Sequence, residues 1–269
     1  MPGFRHEQQQ NDGGDKMIEY WIWLSQIPYI GPVTANRLLQ AFGTPEQIFH
    51  AANSEILNFC HLNERQVKMI TENHSLDQSV RIIEKCKAKD IKILTINDNL
   101  YSRKAKKNDA PIVLYYKGNL KQMNHTVGIV GSRRCSRDVR QTAIKCAEKY
   151  SKHNVTVISG MAKGVDAYAH TSCIKSGGYT IAILANGLDI CYPQEHNALM
   201  ERIIENGAVL SEYPPGVMPS QYRFPWRNRL ISAWSDEVVV IGAGKGSGAF
   251  ITAEYAKKYG KVVNVFAVK

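Results

Sequence analysis

Short apolar runs alternate with segments of helical periodicity through residues 126–268. The runs Thr126–Val130, Tyr179–Leu184 and Glu237–Ile241 have strand length and are apolar almost throughout. Such continuous runs are typical of strands that are covered on both faces. A chain that passes through a helix after each strand forms a parallel sheet, because parallel neighbours need a long crossover connection. The pattern therefore predicts an α/β fold with a parallel sheet between two layers of helices.

The preceding residues, 17–89, are predicted to form a small helical domain. Apolar residues at helical spacing occupy Met17–Gln26, Pro32–Phe42, Ser54–His61, Asn63–Glu72 and Ser79–Lys89. Thr44 and Pro45 form a typical helix start, because a Thr side chain caps free N–H groups and Pro fits the first helical position. Residues 1–16 are polar, and we expect them to form a disordered tail.

Two further strand-like runs, Ile91–Ile96 and Ile112–Tyr116, precede the alternating part. We assign both to the second domain, which is then expected to span residues 90–269. The loop between them, Ser102–Asp109, contains the basic run Ser-Arg-Lys-Ala-Lys-Lys. A charge run of this kind is usually a solvated turn, and contact with a nucleic acid is the alternative.

Positive charge is concentrated in the second half of the sequence. The chain has 34 Lys and Arg against 24 Asp and Glu, and its formal net charge is +10. Residues 1–120 hold 15 bases and 13 acids, whereas residues 121–269 hold 19 bases and 11 acids. An uneven positive charge favours a polyanionic partner. A basic balance that only improves solubility is the alternative.

The cysteines and the apolar runs restrict the cellular setting. The 6 cysteines lie far apart and include no Cys-x-x-Cys pair, which argues against a zinc site or a disulfide scaffold and favours reduced thiols. No apolar run approaches the ~18 residues that a membrane span needs, and the polar start resembles no signal peptide. The sequence therefore predicts a cytoplasmic protein without a membrane partner, a metal or a cofactor.

Glycine-rich loops follow the predicted strands, at the edge where doubly wound sheets bind their ligands. Glycine lets the backbone approach a ligand closely, and the N–H groups of a following helix attract anions. None of these loops matches the dinucleotide fingerprint or the phosphate-binding loop with its Lys-Ser or Lys-Thr pair. We predict that they bind a nucleic acid through Gly131, Ser132, Arg133, Arg134, Ser159, Gly160, Ala162, Lys163, Gly164, Asn186, Gly187, Lys245, Ser247 and Gly248. A tight turn with surface arginines is the alternative for the first loop.

Arginine and aromatic residues are interleaved in residues 223–229, Arg-Phe-Pro-Trp-Arg-Asn-Arg. Such a pattern suits phosphate contacts combined with base stacking. The predicted nucleic-acid contacts of this segment are Arg223, Phe224, Arg227, Asn228 and Arg229. A structural helix start with Trp226 as a core anchor is the alternative.

Patterns that would indicate catalysis are scarce. Asp166 and His170 are four residues apart and would share a helix face, but a lone pair of this kind is more often structural than a metal site. No nucleophile elbow, zinc-protease motif or cysteine nucleophile pattern is present. Among the acidic residues, only Glu254, which follows the last glycine-rich loop, has a position that would suit a catalytic carboxylate. We therefore predict no catalytic residue and no enzyme activity.

The motifs taken together resemble those of the DNA-processing protein A family (DprA, also called Smf). The resemblance covers roughly residues 90–268 and rests on the ordered series Gly131-Ser132-Arg133, Ser159-Gly160-x-Ala162-x-Gly164-x-Asp166, Gly187-Leu188-Asp189, Tyr192-Pro193, Phe224-Pro225-x-Arg227-Asn228-Arg229 and Ser247-Gly248. Upstream, Ile27–Pro32 resembles the hairpin of a helix-hairpin-helix or SAM-like domain.

This resemblance implies an extended Rossmann-like fold that binds single-stranded DNA in a basic pocket. It also implies a homodimer that protects incoming DNA during natural transformation and helps to load the recombinase RecA. Arg133 would contact the DNA backbone, with the loops Gly160–Gly164 and Lys245–Gly248 nearby. The winged-helix domain that some members carry at the C-terminus is expected to be absent.

The sequence departs from the family pattern at several positions, which bears on the details of binding more than on the fold. The departures are Gln194, His196, Gly242, Ala249 and Phe250. The alternative function is that of the Rossmann-like nucleotide-binding proteins which resemble cytokinin-activating phosphoribohydrolases. Those carry Pro-Gly-Gly-x-Gly-Thr before a catalytic glutamate, and the Pro-Gly-Gly element is missing here. A nucleotide bound in the same pocket stays open at this point.

Overall fold

The computed structural model describes residues 12–58, 62–244 and 246–267. The chain divides into two compact units, Met1–Ile83 and Glu84–Lys269. The division falls within a helix, Asp77–Ala88, rather than after Lys89 as the sequence pattern suggested. The first helix begins at Asp12, so residues 12–16 are helical and do not belong to the expected tail, whose other residues lie outside the described part.

The first unit is built from helices, as the periodicity predicted. The helices are α1 (Asp12–Gln26), α2 (Pro32–Phe42), α3 (Pro45–His50), α4 (Asn53–Leu57), α5 (Glu64–Glu72) and α6 (Asp77–Ala88), the last of which continues into the second unit. Thr44 caps α3 by accepting a hydrogen bond from the N–H of Gln47, whose side chain in turn accepts from the N–H of Thr44. The core of the unit includes Trp23, whose Nε1 donates to the carbonyl of Asn73 at 2.6 Å.

The second unit contains an eight-stranded sheet. Its strands are β1 (Lys92–Thr95), β2 (Val113–Gly118), β3 (Thr126–Gly131), β4 (Thr156–Ser159), β5 (Thr180–Leu184), β6 (Gly207–Ser211), β7 (Glu237–Ile241) and β8 (Val262–Phe266). Their order across the sheet is β1-β2-β6-β5-β4-β3-β7-β8. The helices are α7 (Arg137–Lys152), α8 (Val165–Lys175), α9 (Asn197–Asn206), α10 (Arg223–Trp234) and α11 (Gly248–Lys258).

Strands β3 to β8 run parallel to one another, whereas β1 and β2 are antiparallel additions at one side. The connection between β1 and β2, residues 96–112, holds a single 3-10 turn, Arg103–Ala105, and lacks the α-helix that usually joins parallel neighbours. The fully parallel sheet expected from the sequence is therefore extended by a hairpin. Apart from this addition, the α/β architecture with an extended Rossmann-like sheet is confirmed.

The parallel strands are added on both sides of β3 as the chain proceeds. From β3 it proceeds through β4, β5 and β6 to one side, and it then returns to place β7 and β8 on the other side of β3. The carboxyl ends of β3 and β7 therefore form the topological switch point, where sheets of this kind leave a crevice for a ligand. In the described residues, no helix is long and apolar enough to cross a membrane.

Candidate nucleic-acid interface

A cleft of about 660 Å³ opens at the carboxyl ends of β3 and β7. Its walls come from the loop after β3, the loop after β4, the start of α10 and the start of α11. The lining residues are Val130, Gly131, Ser132, Arg133, Arg134, Ala162, Asp166, Tyr192, Gln221, Phe224, Pro225, Arg227, Asn228, Ala243, Gly244, Ser247, Gly248, Ala249 and Thr252. The cleft thus lies at the carboxyl ends of the strands, where the sequence analysis placed the glycine-rich loops, and the strand order puts the switch point there.

The loop after β3 places two arginines at the mouth of the cleft. Gly131 is required there, because a Cβ atom at this position would lie 2.1 Å from the carbonyl oxygen of Ile241. Ser132 Oγ closes the turn by accepting from the N–H of Arg134 at 3.1 Å and donating to its carbonyl at 2.5 Å. Arg133 and Arg134 are exposed, and the guanidinium of Arg133 lies 5.8 Å from the centre of the Phe224 ring.

The loop after β4 is organised by a buried carboxylate. Asp166 Oδ2 accepts from the N–H groups of Gly160 at 3.1 Å and Ala162 at 3.3 Å. Burial raises the pKa of Asp166, although Arg227 and the two N–H groups oppose this shift. Ser159 is buried and donates its hydroxyl to the carbonyl of Ile129. Asp166 therefore shapes the loop, and of the predicted residues in this loop only Ala162 lines the cleft.

Arg227 forms part of the cleft floor. Its side chain is buried, and its Nη1 donates to the carbonyl oxygens of Gly160, at 2.9 Å, and Ile183. A Cβ at Gly160 would lie 2.5 Å from Arg227 Nη2, so the glycine makes room for the guanidinium. Burial lowers the pKa of Arg227 to about 10, while Asp166 opposes the shift. The side chain stays charged at neutral pH and adds a fixed positive charge beneath the cleft.

Arg229 does not reach the cleft, which contradicts its predicted contact with a nucleic acid. It is fully buried, and its Nη2 lies 2.5 Å from Glu212 Oε2. Successive helical positions are separated by about 100°, so side chains two residues apart point to nearly opposite sides of a helix. Arg227 therefore faces the cleft and Arg229 faces the core. The alternative role of Trp226 as a core anchor is also wrong, since this side chain is 37% exposed.

Several other predicted residues lie outside the cleft. Asn186 is buried, and its amide donates to the carbonyls of Gly187 and Ile190, so it holds its own loop. Lys163 pairs with Glu195 at 2.5 Å on the surface. Residues absent from the lining are Ser159, Gly160, Lys163, Gly164, Asn186, Gly187, Arg223 and Arg229. Lys245 lies outside the described residues.

The start of α11 contributes unpaired polar groups. Ser247 Oγ and Thr252 Oγ1 are buried at the cleft without a hydrogen-bond partner. The first N–H groups of a helix are likewise free and carry partial positive charge. The side-chain amide of Asn228 donates to the carbonyl of Gly248 at 3.0 Å and so ties α10 to α11. The two hydroxyls can bind an anion without displacing an existing hydrogen bond.

Sequence reasoning did not select four polar or aromatic residues of the lining as contacts: Asp166, Tyr192, Gln221 and Thr252. The Tyr192 ring lies 5.5 Å from the ring of Phe224, with which it forms an aromatic surface at the cleft. The Tyr-Pro motif was visible in the sequence, but nothing in it indicated this contact. Thr252 lies within α11, and its position became apparent only from the packing of that helix.

Asp166 and His170 do not form a ligand pair. His170 is buried, and its Nδ1 lies 2.7 Å from Thr180 Oγ1, whose hydroxyl donates to the carbonyl of Val157. Burial, with help from the nearby Arg227 and His196, lowers the pKa of His170 to about 3, so the ring is neutral. No group of His, Cys, Asp and Glu in the described part of the chain has an arrangement that could hold a metal ion.

Comparison with known proteins identifies relatives over most of the chain. The family model of DNA recombination-mediator protein A matches residues 92–269. Protein Smf of Synechocystis sp. is 37% identical over 253 residues, which cover 91% of this chain and 63% of the relative. DNA processing protein DprA of Streptococcus pneumoniae is 40% identical over 161 residues, which cover 60% of this chain and 56% of the relative. The chain thus spans less than two thirds of the length of either relative.

Two solved structures share the fold. DNA processing protein A of Streptococcus pneumoniae superimposes with a TM-score of 0.80 at 29% identity, covering 92% of this chain and 86% of that one. DNA processing protein A of Helicobacter pylori superimposes with a TM-score of 0.61 at 31% identity, covering 66% of this chain and 81% of that one. The latter structure was described for its single-stranded DNA binding mode.

Proposed function

Because this chain belongs to the family of DNA recombination-mediator protein A, we propose that its cleft binds single-stranded DNA without catalysis. The observation that carries the proposal is the combination, in one cleft, of exposed arginines, a buried arginine and an aromatic pair. Arg133 and Arg134 stand at the mouth, Arg227 lies in the floor, and Tyr192 packs beside Phe224. Single-stranded nucleic acids are typically bound by such a combination of positive charge and stacking surfaces.

The geometry of the cleft supports contact with the sugar-phosphate backbone. The arginine side chains at its mouth offer planar, bidentate donors to phosphate oxygens. The hydroxyls of Ser247 and Thr252 offer neutral donors at its far wall. None of these donors selects a base, so we expect little sequence preference.

The proposal is tested by measuring the affinity for single-stranded and double-stranded oligonucleotides across a range of salt concentrations. We expect single strands to bind more tightly and their log K to fall linearly with the logarithm of the salt concentration, because phosphate contacts release counterions. Equal affinity for both forms, or an affinity that salt does not change, would contradict the proposal.

The second candidate is a nucleotide site of the phosphoribohydrolase type. The unpartnered hydroxyls of Ser247, just before α11, and of Thr252, in its second turn, favour it, since helix starts bind phosphate groups. Nucleoside monophosphates belong in the same titration, and release of free base should be assayed. Base release that is lost in Glu254→Gln would establish the second candidate and exclude the purely binding role.

We further propose two biological roles for single-strand binding. The protein protects incoming DNA in natural transformation and transfers the bound strand to RecA. These roles follow from the resemblance of the motifs to the DprA family. Nuclease digestion of a single strand, with and without the protein, tests protection. The rate at which RecA assembles on a strand coated by this protein tests transfer, and slower assembly than on the bare strand would contradict it.

We also propose a homodimer that pairs along β8. This strand is at the edge of the sheet in the described residues and exposes Val262, Val265 and Phe266. Exposed apolar edge strands readily pair with another strand. Sedimentation of the double variant Val262→Lys, Val265→Lys should give a monomer, whereas the matched control Val33→Lys should sediment as the wild type. A dimeric double variant would contradict pairing at this edge.

A further inference from the structure

The amino ends of the parallel strands, on the opposite side of the sheet from the cleft, carry a second positive surface, which the cleft does not use. It consists of Arg103, Lys104, Lys106, Lys107, Lys258 and Lys261, which we call the basic edge. β3 separates it from the cleft, and six extended residues span about 20 Å. A ligand in the cleft therefore reaches the basic edge only if it continues around the sheet.

The loop of the basic edge is anchored to the sheet. Lys104 Nζ lies 2.5 Å from Asp236 Oδ2, just before β7, and donates to the carbonyl of Asn124, just before β3, at 2.8 Å. Ala105 is buried, and the hydroxyl of the buried Tyr101 donates to the carbonyl of Pro111 at 2.9 Å. The remaining cations of this loop are therefore presented from a fixed support rather than from a solvated turn.

The register between β7 and β8 brings a further cation, Lys261, to the basic edge. Glu237 of β7 pairs with Val262 of β8, so the residues that precede them, Asp236 and Lys261, are neighbours at the same edge. Burial and the charges of Lys107 and Lys104 lower the pKa of Lys261, while Asp236 opposes the shift. The crowding of like charges is thus a property of the fold as well as of the sequence.

The carboxylates of Asp236 and Asp109 already have partners. Asp236 holds Lys104, and Asp109 accepts from the hydroxyl of Tyr259 at 2.7 Å. In the described chain, no carboxylate lies within ion-pair distance of the other cations, which are Arg103, Lys106, Lys107, Lys258 and Lys261. Their charge is available to an external anion.

Two aromatic rings lie among these cations. Tyr255 and Tyr259 are stacked with ring centres 6.0 Å apart. Lys107 Nζ lies 5.9 Å from the ring centre of Tyr259, and Lys258 Nζ lies 5.9 Å from that of Tyr255. Cations interleaved with aromatic rings suit a nucleic acid, which offers both phosphates and flat bases, better than an acidic peptide, which offers only carboxylates.

We propose that the basic edge is a second contact surface for the phosphate backbone of single-stranded DNA. A strand that is long enough leaves the cleft and continues to Arg103, Lys106 and Lys107, so the protein covers more nucleotides than the cleft alone. The proposal rests on single-strand binding in the cleft, and its test separates the two.

The test compares a strand of about 6 nucleotides, near the lower range of site sizes for one binding module, with a strand of about 40. The loop variant carries Arg103→Gln, Lys106→Gln and Lys107→Gln, and it keeps Lys104 because that residue anchors the loop. The matched control carries Lys145→Gln, Lys175→Gln and Arg202→Gln on helices α7, α8 and α9. Both variants lose three positive charges, and thermal unfolding verifies that both fold.

We expect the loop variant to bind the long strand at least about tenfold more weakly at low salt and to bind the short strand as the wild type does. Its salt slope on the long strand should be shallower by about 2, since each lost phosphate contact removes roughly 0.7. The control variant should retain most of its affinity for the long strand.

Three outcomes would overturn the proposal. The loop variant and the control variant could bind the long strand equally well, or the loop variant could also lose the short strand, which would indicate an effect on the cleft. A polyglutamate peptide is titrated in parallel. If the loop variant lost affinity for this peptide but kept its affinity for the long strand, the basic edge would be assigned to an acidic protein instead. Failure of the wild type to bind either strand would refute single-strand binding in the cleft.

Discussion

The carboxyl ends and the amino ends of the parallel strands both carry positive charge, but the two regions are constructed differently. They are called the carboxyl edge and the amino edge below. At the carboxyl edge, Gly131 touches the backbone of Ile241, and the Arg227 guanidinium is held by backbone carbonyls. At the amino edge, the charges stand on exposed or half-exposed side chains, with Lys104 as the anchor. Positive charge is therefore common to both ends, whereas a shaped site with buried, fixed donors is found at the carboxyl end of the described sheet. Substitutions should therefore destabilise the first edge far more than the second.

The largest effect is expected at Gly131. Gly131→Ala would bring a methyl group within 2.1 Å of the Ile241 carbonyl, and neither strand can move without breaking the sheet. We expect a loss of at least about 4 kcal/mol in the free energy of unfolding, or no folded protein. Urea unfolding measures it. Gly244→Ala is the matched control at the same cleft, because no atom lies within 4 Å of the added Cβ. Similar stability of the two variants would contradict this account of the edge.

The second effect concerns the buried arginine. Arg227→Met would leave the carbonyls of Gly160 and Ile183 without a donor and Asp166 without its neighbouring cation. Removal of one member of a buried polar set costs about 3–5 kcal/mol. The exposed Arg134→Met serves as the control and should unfold within about 0.5 kcal/mol of the wild type. If Arg227→Met were equally stable, the floor of the cleft would not depend on this side chain.

A smaller effect is expected at the amino edge. Burial disfavours the charge of Asp236, but hydrogen bonds from Lys104 and Thr126 outweigh it and lower the pKa of Asp236. The stability that this group contributes is therefore present above the unfolded-state pKa, near ~3.9, and is lost as the pH falls through the folded-state pKa. Both partners are partly exposed, so Lys104→Met should cost only about 1 kcal/mol or less at neutral pH.

The pH dependence provides the check on this prediction. The difference in unfolding free energy between wild type and Lys104→Met should shrink as the pH is lowered from 7 toward ~3, because protonated Asp236 no longer benefits from the ammonium group. A difference that is constant over this range would mean that Lys104 stabilises the loop by packing rather than by charge.

The smallest effect on stability, and a large one on binding, is expected at Arg133. This side chain is exposed, and its contact with Phe224 is long, so Arg133→Ala should change the unfolding free energy by less than about 0.5 kcal/mol. Loss of a charge-assisted contact to phosphate should weaken single-strand binding by roughly tenfold or more. Fluorescence anisotropy measures it, with Lys145→Ala as the control. A stable variant with normal affinity would remove Arg133 from the interface.

The sequence predicted the runs Thr126–Val130, Tyr179–Leu184 and Glu237–Ile241, and each agrees with its strand to within one residue at either end, because buried parallel strands are short apolar runs. It also predicted the end of the sheet at which the cleft lies, since the glycine-rich loops follow the strands, while the switch point between β3 and β7 became apparent only from the strand order. The hairpin of β1 and β2 was missed because an apolar run does not reveal its direction.

The arginines of α10 show where the residues alone were insufficient. Arg227 and Arg229 occur in the same basic and aromatic run, and only the packing of the helix decides which one faces the cleft. The partner of Arg229, Glu212, comes from a distant segment after β6. The position of the loop 102–109 at the amino edge likewise depends on contacts with Asn124 and Asp236, which no local pattern indicates.

The two outer strands of the sheet differ in ways that bear on how copies of the chain associate. β1 has only four residues and begins with the exposed Lys92, features by which natural sheets discourage further strands. β8, the last strand of the described chain, instead exposes apolar side chains. In the proposed dimer, pairing of β8 with β8 of a second copy would be isologous and would occupy the same edge in both copies. The two outer strands of that dimer would both be β1, so the features of β1 would oppose the addition of further copies and the extension of the sheet into a fibre.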